Sequence, residues 1–261
     1  QRVWRTNSRG DYWVLDLLSD ELVKLGQDFS ESSLMFATFS PDDNRLAYVV
    51  RNNIFVEDLA SNEITQLTSD GTATLINGTF DWVYEEEFRL RNGFRWSPDG
   101  QHIAYWQLDS EGVQSFTLIN NTDSLYPTLS QFPYPKVGET NSAARIGVIS
   151  VNGGSTRWME LEGDPRMHYP VYLEWAANAD ELIIQQLNRR QNTNQLLLAS
   201  ADSGEIETIL IERDEAWLDP VTDFQWFDGG QSFLWVSERN GWRQIFRISR
   251  DGRQETLLTP G

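Results

Sequence analysis

Residues 94–109 read FRWSPDGQHIAYWQLD. An aromatic residue opens this stretch, a Ser-Pro-Asp-Gly turn follows, and an apolar run comes next. Three other stretches share the pattern: FATFSPDDNRLAYVV at 36–50, LEWAANADELIIQQL at 173–187 and FQWFDGGQSFLWVS at 224–237. In each, a turn rich in Pro, Asp, Asn or Gly precedes an apolar segment, which is typical of paired β-strands. The recurring unit is therefore built from strands.

Each unit continues with a second strand, a polar turn and a short last strand. Unequal repeats of roughly 50 to 80 residues made of four strands indicate the blades of a β-propeller. The stretch DYWVLDLLSDELVKLG at 11–26 has the pattern of the closing strands of another blade. The sequence thus predicts an all-β fold, a β-propeller fragment of about four to five four-stranded blades. Open blades leave sheet edges uncovered, so we expect the fragment to belong to a larger ring.

The composition excludes several classes of function. A formal net charge of -18 over 261 residues repels phosphate backbones, so we expect no nucleic-acid partner. The same charge favours a cationic group such as a peptide's amino terminus, although acidity can also serve solubility alone. With no cysteine there is no disulfide or thiolate metal site, and no metal cluster or phosphate loop is visible. We expect neither a metal nor another cofactor.

Two features of the sequence bear on the cellular compartment. No apolar run is long enough for a transmembrane helix. The first residue is Gln and no signal peptide is visible, which favours a processed product or an excised segment. We expect a bacterial envelope location, periplasmic or secreted, and a cytoplasmic location stays open.

Two interruptions of the repeat, at about 80–92 and 109–142, mark the places where function concentrates. The first contains DWVYEEEF at 81–88. With Asp81 as N-cap, this segment can be a capped, solvated helical turn. However, adjacent carboxylates can both stay ionised at a low cost in free energy only beside a cation or screening water. The neighbouring aromatic side chains exclude water. The segment can therefore also be a site for a positively charged group.

The two motifs together resemble a known family. DWVYEEEF followed by WSPDGQHIAYWQ resembles the dipeptidyl peptidase IV family of serine exopeptidases, within the prolyl oligopeptidase superfamily. LINNTDSLYPTLSQFPYPKVGETNSAARIGV at 118–148 is similar to the family's Tyr-Pro…Pro-Tyr-Pro-Lys-x-Gly segment. VWRTNSRGDYWVLDL at 3–17 resembles its Trp-Arg segment. The resemblance covers essentially the whole chain.

The resemblance implies a domain organisation and a substrate site. The family has an eight-bladed propeller that caps an α/β-hydrolase domain, so residues 1–261 would be part of the N-terminal propeller. The catalytic domain would be absent from this chain. By resemblance, Glu86 and Glu87 bind the protonated α-amine of the substrate, and Arg5 bonds the carbonyl of its first residue. Trp82, Tyr84 and Glu85 match the motif as supporting residues.

The resemblance implies that the cleavage site is set by its distance from the bound amino terminus. Two carboxylates that hold an ammonium, with a nucleophile about 7 Å away, allow cleavage only after the second residue of an extended peptide. The chain would gate access and anchor the amino terminus in a serine dipeptidyl aminopeptidase that releases Xaa-Pro or Xaa-Ala dipeptides. No G-x-S-x-G elbow occurs, and we expect structural roles for His102 and His168. The chain alone should therefore be inactive, because its own C-terminal α/β-hydrolase domain would supply the Ser/Asp/His set.

The second interruption contains a possible interaction element. Residues 113–133 correspond to the family's extended propeller arm, which reaches across a homodimer interface. The apolar residues that suit an edge hairpin seeking a partner are Phe116, Leu118, Ile119, Leu125 and Tyr126. The alternative is a long hairpin that packs on its own blade.

Two other functions stay open. One is a non-catalytic propeller that binds peptides or proteins, as in inactive homologues, although such a scaffold has no use for the glutamate pair. The other is a polysaccharide-binding or lipoprotein-type propeller, which would explain the 11 Trp residues but not DWVYEEE.

Overall fold

The structure, a computed structural model, describes residues 6–260. Strands account for 45% and helix for 4% of the described residues. Within the described residues there are 21 strands, one α-helix and one short 3-10 helix. The prediction of an all-β fold is confirmed.

The first sheets lie in the first quarter of the chain. Strands β1 (Trp13–Leu15) and β2 (Leu22–Lys24) form an antiparallel pair. The next sheet is antiparallel in the order β3-β4-β5-β6. Its strands are β3 (Met35–Phe39), β4 (Arg45–Val50), β5 (Asn53–Asp58) and β6 (Ile64–Gln66). Its core contains Tyr48, against which Phe29 and Phe55 pack.

The next blade contains both interruptions of the repeat. Its sheet has the order β13-β12-β9-β7, with β8 also paired to β9. The elements in chain order are β7 (Leu75–Asn77), α1 (Trp82–Phe88), β8 (Phe94–Trp96), β9 (His102–Asp109), β10 (Ser115–Asn120), β11 (Thr128–Pro133), β12 (Ala143–Ser150) and β13 (Arg157–Trp158). Strands β10 and β11 pair only with each other within the described residues, as a separate antiparallel hairpin.

Two four-stranded antiparallel sheets complete the fold. The third blade has the order β14-β15-β16-β17, and the fourth has the order β18-β19-β20-β21. Their strands are β14 (His168–Trp175), β15 (Glu181–Asn188), β16 (Thr193–Ser200), β17 (Ile206–Arg213), β18 (Gln225–Phe227), β19 (Ser232–Ser237), β20 (Gln244–Ser249) and β21 (Glu255–Leu257). The 3-10 helix is Asp228–Gly230. These four larger sheets match the four nearly complete blades predicted from the repeats.

The burial pattern explains why the repeat shows apolar runs rather than strict alternation. The second strands of the blades, such as β4 and β15, are buried along most of their length. A strand covered on both faces needs apolar residues at consecutive positions. The last strands, such as β6 and β17, are more exposed. Strand position within the blade therefore determines the sequence pattern.

The chain divides into two compact units. One comprises residues 6–94 together with Tyr105–Ala143 and Ser150–Gly154. The other comprises Arg95–Ala104, Ala144–Ile149 and residues 155–260. The first unit contains α1 and the β10–β11 hairpin. No helix among residues 6–260 is long and apolar enough to cross a bilayer.

Candidate functional site

The insertion predicted at 80–92 lies between β7 and β8, and two glycines close its base. The Gly93 N–H donates to the carbonyl oxygen of Gly78 at 3.0 Å. A Cβ at Gly93 would lie 2.7 Å from the carbonyl carbon of Gly78, and Gly78 itself has a φ of +72°. Neither position accommodates a side chain. A side chain at Gly93 would collide with backbone atoms, and the backbone of Gly78 is in the left-handed region that favours glycine. The close approach brings the two ends of the insertion together.

Helix α1 begins at a side-chain cap and ends at a left-handed residue. Asp81 is extended, and its Oδ1 accepts a hydrogen bond from the Tyr84 N–H at 3.0 Å. This confirms the predicted N-cap. At the other end Arg89 has a φ of 58°, and its N–H donates to the Tyr84 carbonyl. The helix is therefore confined to seven residues, Trp82–Phe88.

The three consecutive glutamates occupy different environments. Glu85 is buried, and its Oε1 lies 3.5 Å from Nε of Arg91. Glu86 is half-buried and Glu87 is exposed. Burial raises the pKa of the Glu85 carboxyl above its ordinary value; Arg91 opposes this shift, and the charge of Glu86 adds to it. Glu85 is thus directed into the protein, which leaves Glu86 and Glu87 as the more accessible pair.

Aromatic rings hold the helix on the side away from solvent. Tyr84 is fully buried and stacks on Phe80, with ring centroids 5.6 Å apart and an interplanar angle of 17°. Phe80 contacts the buried Trp106 edge to face at 5.1 Å. On the other side of Tyr84 lies Phe88, at 5.6 Å. The aromatic residues of the motif therefore form part of the core beneath the glutamates.

Trp82 does not join that core but contacts the second motif. Its ring lies 4.1 Å from the ring of Tyr134, at an interplanar angle of 37°. Tyr134 belongs to the PYPKVG segment that follows β11, and it also contacts Phe116 of the hairpin at 5.3 Å. The structure thus brings the two sequence motifs into direct contact within one unit.

A buried polar contact fixes the start of the helix. The Ser142 hydroxyl donates to Oδ2 of Asp81 at 2.6 Å, across 61 residues of sequence. Both side chains are almost completely buried. Burial raises the pKa of the Asp81 carboxyl above its ordinary value, and the hydrogen bonds from Ser142, Tyr84 and Val83 partly oppose the shift. Sequence reasoning did not identify Ser142 or Arg91, because no local signal marks a partner so far along the chain or an ion pair behind a helix end.

The hairpin residues predicted to form a dimer arm are largely exposed. The exposed fraction is 40% for Phe116 and 91% for Leu125, with intermediate values for the other three, Leu118, Ile119 and Tyr126. Ile119 lies directly opposite Leu129 in the β10–β11 register, and both are exposed. Phe116 is the least exposed of the five because its ring packs against Phe132 and Tyr134.

Two further sequence predictions concern Arg5 and the histidines. Arg5 lies outside the described residues. His168 is buried, with Nδ1 at 3.3 Å from the Glu162 carbonyl oxygen and Nε2 at 3.3 Å from that of Ala144. These contacts to backbone oxygens tie the start of β14 to its surroundings. His102 is half-buried at the start of β9.

Comparison with known proteins identifies the family. The family model described as "Dipeptidyl peptidase IV (DPP IV) N-terminal region" matches residues 1–261. The chain belongs to this family. The solved structure of Porphyromonas gingivalis dipeptidyl peptidase 4 matches this DPP IV family chain with a TM-score of 0.92 and 30% identity, covering 100% of this chain and 37% of that one.

Curated relatives of the DPP IV family chain include two proteins of differing description. A probable dipeptidyl peptidase 4 of Trichophyton verrucosum (strain HKI 0517) is 27% identical over 271 residues, which cover 99% of this chain and 36% of that protein. An inactive dipeptidyl peptidase 10 of Mus musculus is 27% identical over 255 residues, which cover 94% of this chain and 32% of that protein. The chain thus spans about a third of the length of these relatives.

Proposed function

We propose that this chain is the amino-terminus-anchoring and substrate-gating part of a serine dipeptidyl aminopeptidase. In this proposal Glu86 and Glu87 bind the protonated α-amine of a peptide substrate. The observation that carries the proposal is the different environment of the three glutamates. Glu85 is buried beside Arg91, whereas the next two carboxylates are half-buried and exposed on the same short helix. A pair of adjacent accessible carboxylates on a fixed support is suited to an ammonium ligand.

The electrostatic setting supports a cationic ligand. Two neighbouring carboxylates repel one another, and a bound ammonium relieves that repulsion while forming charge-assisted hydrogen bonds. The formal net charge of -18 adds a long-range attraction for cations. An internal peptide segment carries no ammonium, so the same site would select free amino termini.

The hydrolytic step belongs to another domain in this proposal. A C-terminal α/β-hydrolase domain would supply the nucleophile, its base and the oxyanion hole. With the amine held by the glutamates, an extended peptide would present its second peptide bond about 7 Å away. The preference for Pro or Ala at the second position, the role of Arg5 at the first carbonyl and the envelope location stay predictions from the sequence.

We further propose that the β10–β11 hairpin contributes to a homodimer. Its apolar residues are exposed although the rest of the chain is strongly acidic. A hairpin that pairs with no other strand within residues 6–260 has both of its edges available for an additional strand or for an apolar partner surface.

The amine-binding role is tested in the enzyme that carries this chain together with its hydrolase domain. Glu86→Gln and Glu87→Gln each keep the side-chain shape and remove one charge. We expect kcat/KM for a chromogenic dipeptide anilide to fall roughly 100-fold or more in each variant. Glu63→Gln, which removes an exposed carboxylate elsewhere in the same unit, is the matched control. Near wild-type kinetics in either test variant would reject the assignment.

A second candidate is a non-catalytic propeller that binds peptides or proteins. The match to a mouse protein named inactive dipeptidyl peptidase 10 is the observation that favours this second candidate. The two candidates differ in one measurement: turnover of the dipeptide anilide by the full-length protein. Binding of dipeptides with no turnover would favour the scaffold, whereas turnover that depends on Glu86 and Glu87 supports the peptidase.

A further inference from the structure

We infer that Asp81 and Ser142 are positioning residues that set the orientation of the helix carrying Glu86 and Glu87. This inference rests on the proposed amine-binding role of those two glutamates. Neither positioning residue would touch the substrate; both would act through the backbone of α1.

The two oxygens of the Asp81 carboxylate are held by different parts of the chain. Oδ1 accepts from the Tyr84 N–H at 3.0 Å inside the helix, and Oδ2 accepts from the Ser142 hydroxyl at 2.6 Å. In addition, the Asp81 carbonyl accepts from the Glu85 N–H at 3.2 Å. The plane of the carboxylate and the start of the helix are therefore determined together by Ser142.

The helix is too short to determine its own orientation. Isolated helices of fewer than about 12 residues are marginal in water, and α1 has seven. Its orientation must come from tertiary contacts. The ring contacts of Trp82, Tyr84 and Phe88 tolerate small rotations, whereas a buried hydrogen bond is directional and costly to leave unmade. The contact between Asp81 and Ser142 is thus the most restrictive support at the start of the helix.

A small rotation at this point would reach the glutamates. Glu86 and Glu87 are five and six residues after Asp81 on an unbroken helix. With side-chain ends about 5 to 6 Å from the axis, a rotation of about 10° moves each carboxylate by roughly 1 Å. A misplacement of that size can cost up to about 100-fold in kcat/KM. An ordinary N-cap, by comparison, would affect only the stability of the helix.

The test compares binding and turnover in Ser142→Ala with a matched control in the full-length enzyme. The probes are a chromogenic dipeptide anilide and a dipeptide product used as inhibitor. We expect both KM and Ki to rise about tenfold, with kcat changed by less than about threefold. Ser40→Ala is the control, because Ser40 is equally buried at 1% exposure and its hydroxyl also donates to an aspartate, Asp42, at 2.6 Å. The control should keep wild-type KM and Ki.

Conservative variants separate orientation from charge and from folding. Asp81→Asn keeps the cap acceptor, and its amide can donate to the Ser142 oxygen, so Ki should stay within about threefold of wild type. If Ser142→Ala does not fold, Ser142→Cys replaces it, since a thiol is a weaker donor of similar size and should give a smaller rise in Ki. Faster exchange of the Tyr84 amide hydrogen in the Ser142 variants would support loosening of the cap.

The outcomes distinguish this inference from the proposed function. Wild-type Ki and KM in folded Ser142→Ala, or equal changes in Ser142→Ala and Ser40→Ala, would overturn the positioning role. A loss in Asp81→Asn as large as that in Ser142→Ala would also overturn it, because charge rather than orientation would then matter. If Glu86→Gln and Glu87→Gln lose activity while Ser142→Ala does not, only the positioning role fails. If the glutamate variants keep wild-type Ki, the proposed function and this inference both fail.

Discussion

The ring of Trp82 lies 4.1 Å from the ring of Tyr134, and this contact joins two sequence motifs that are 52 residues apart. Trp82 opens the helix with the glutamates, and Tyr134 follows the exposed hairpin. Tyr134 also contacts Phe116 of that hairpin. A continuous set of side chains therefore links the hairpin to the candidate amine site within one unit.

This ring contact should contribute measurably to stability. Aromatic pairs contribute about 0.5 to 1.5 kcal/mol beyond their buried area. We expect a double-mutant cycle with Trp82→Ala and Tyr134→Ala to give a coupling free energy in that range, measured from denaturant unfolding. Effects that add to within about 0.3 kcal/mol would show that the two rings do not interact. The control is the pair Trp82→Ala and Phe55→Ala. The rings of Trp82 and Phe55 pack against different partners within residues 6–260, so the effects of these two substitutions on the free energy of unfolding should be additive.

The buried glutamate should make stability depend on pH in a defined direction. The pKa of Glu85 is raised in the folded chain, mainly by burial, from an ordinary value of 4.5. The folded state therefore binds this proton more tightly than the unfolded state does, and ionisation of Glu85 costs stability. Its favourable contribution is complete below pH 4.5 and is lost as the pH rises through the raised pKa.

We therefore expect the free energy of unfolding of Glu85→Gln, minus that of wild type, to increase as the pH rises above 4.5. Thermal unfolding of both proteins at a series of pH values measures this difference. The variant also loses the contact with Arg91, so the slope with pH and not the absolute difference is the relevant quantity. A difference that is constant, or that falls with rising pH, would contradict the buried state of Glu85.

The hairpin should control the oligomeric state of the full-length protein. Ile119 and Leu129 lie opposite each other and are exposed by 61% and 63%. Glutamates at both positions would place two charges in the proposed apolar interface, so we expect light scattering to report monomers in place of the proposed homodimer. Trp242→Gln, which changes an exposed aromatic side chain outside the hairpin, should leave the mass unchanged. An unchanged dimer mass in the double variant would exclude the hairpin from the interface.

The repeated strands and the N-cap at Asp81 could be predicted from the sequence, because both depend on local patterns. Turn residues followed by apolar runs mark the blades, and an aspartate before an amphipathic turn marks a helix start. The inward orientation of Glu85 and the partners Arg91 and Ser142 could not be predicted in this way. They depend on how distant segments meet, which no periodicity encodes.

The family resemblance supplied what local patterns could not, namely the grouping of DWVYEEEF with the Tyr-Pro-Lys segment. Family membership is confirmed over residues 1–261. The contact between Trp82 and Tyr134 gives a physical reason why the two motifs occur together. The roles of Glu86 and Glu87 toward a substrate stay a prediction.

The most direct measurement is the affinity of the full-length protein for a dipeptide amide and for its analogue in which a hydroxyl replaces the α-amine. The analogue is of similar size, but its hydroxyl donates one hydrogen bond where the ammonium donates three, and it carries no charge. If the glutamate pair binds the ammonium, the hydroxyl analogue should bind roughly 100-fold more weakly, about 2.7 kcal/mol, and Glu87→Gln should reduce that ratio. Equal inhibition constants for the two compounds in the wild-type protein would contradict ammonium binding by Glu86 and Glu87.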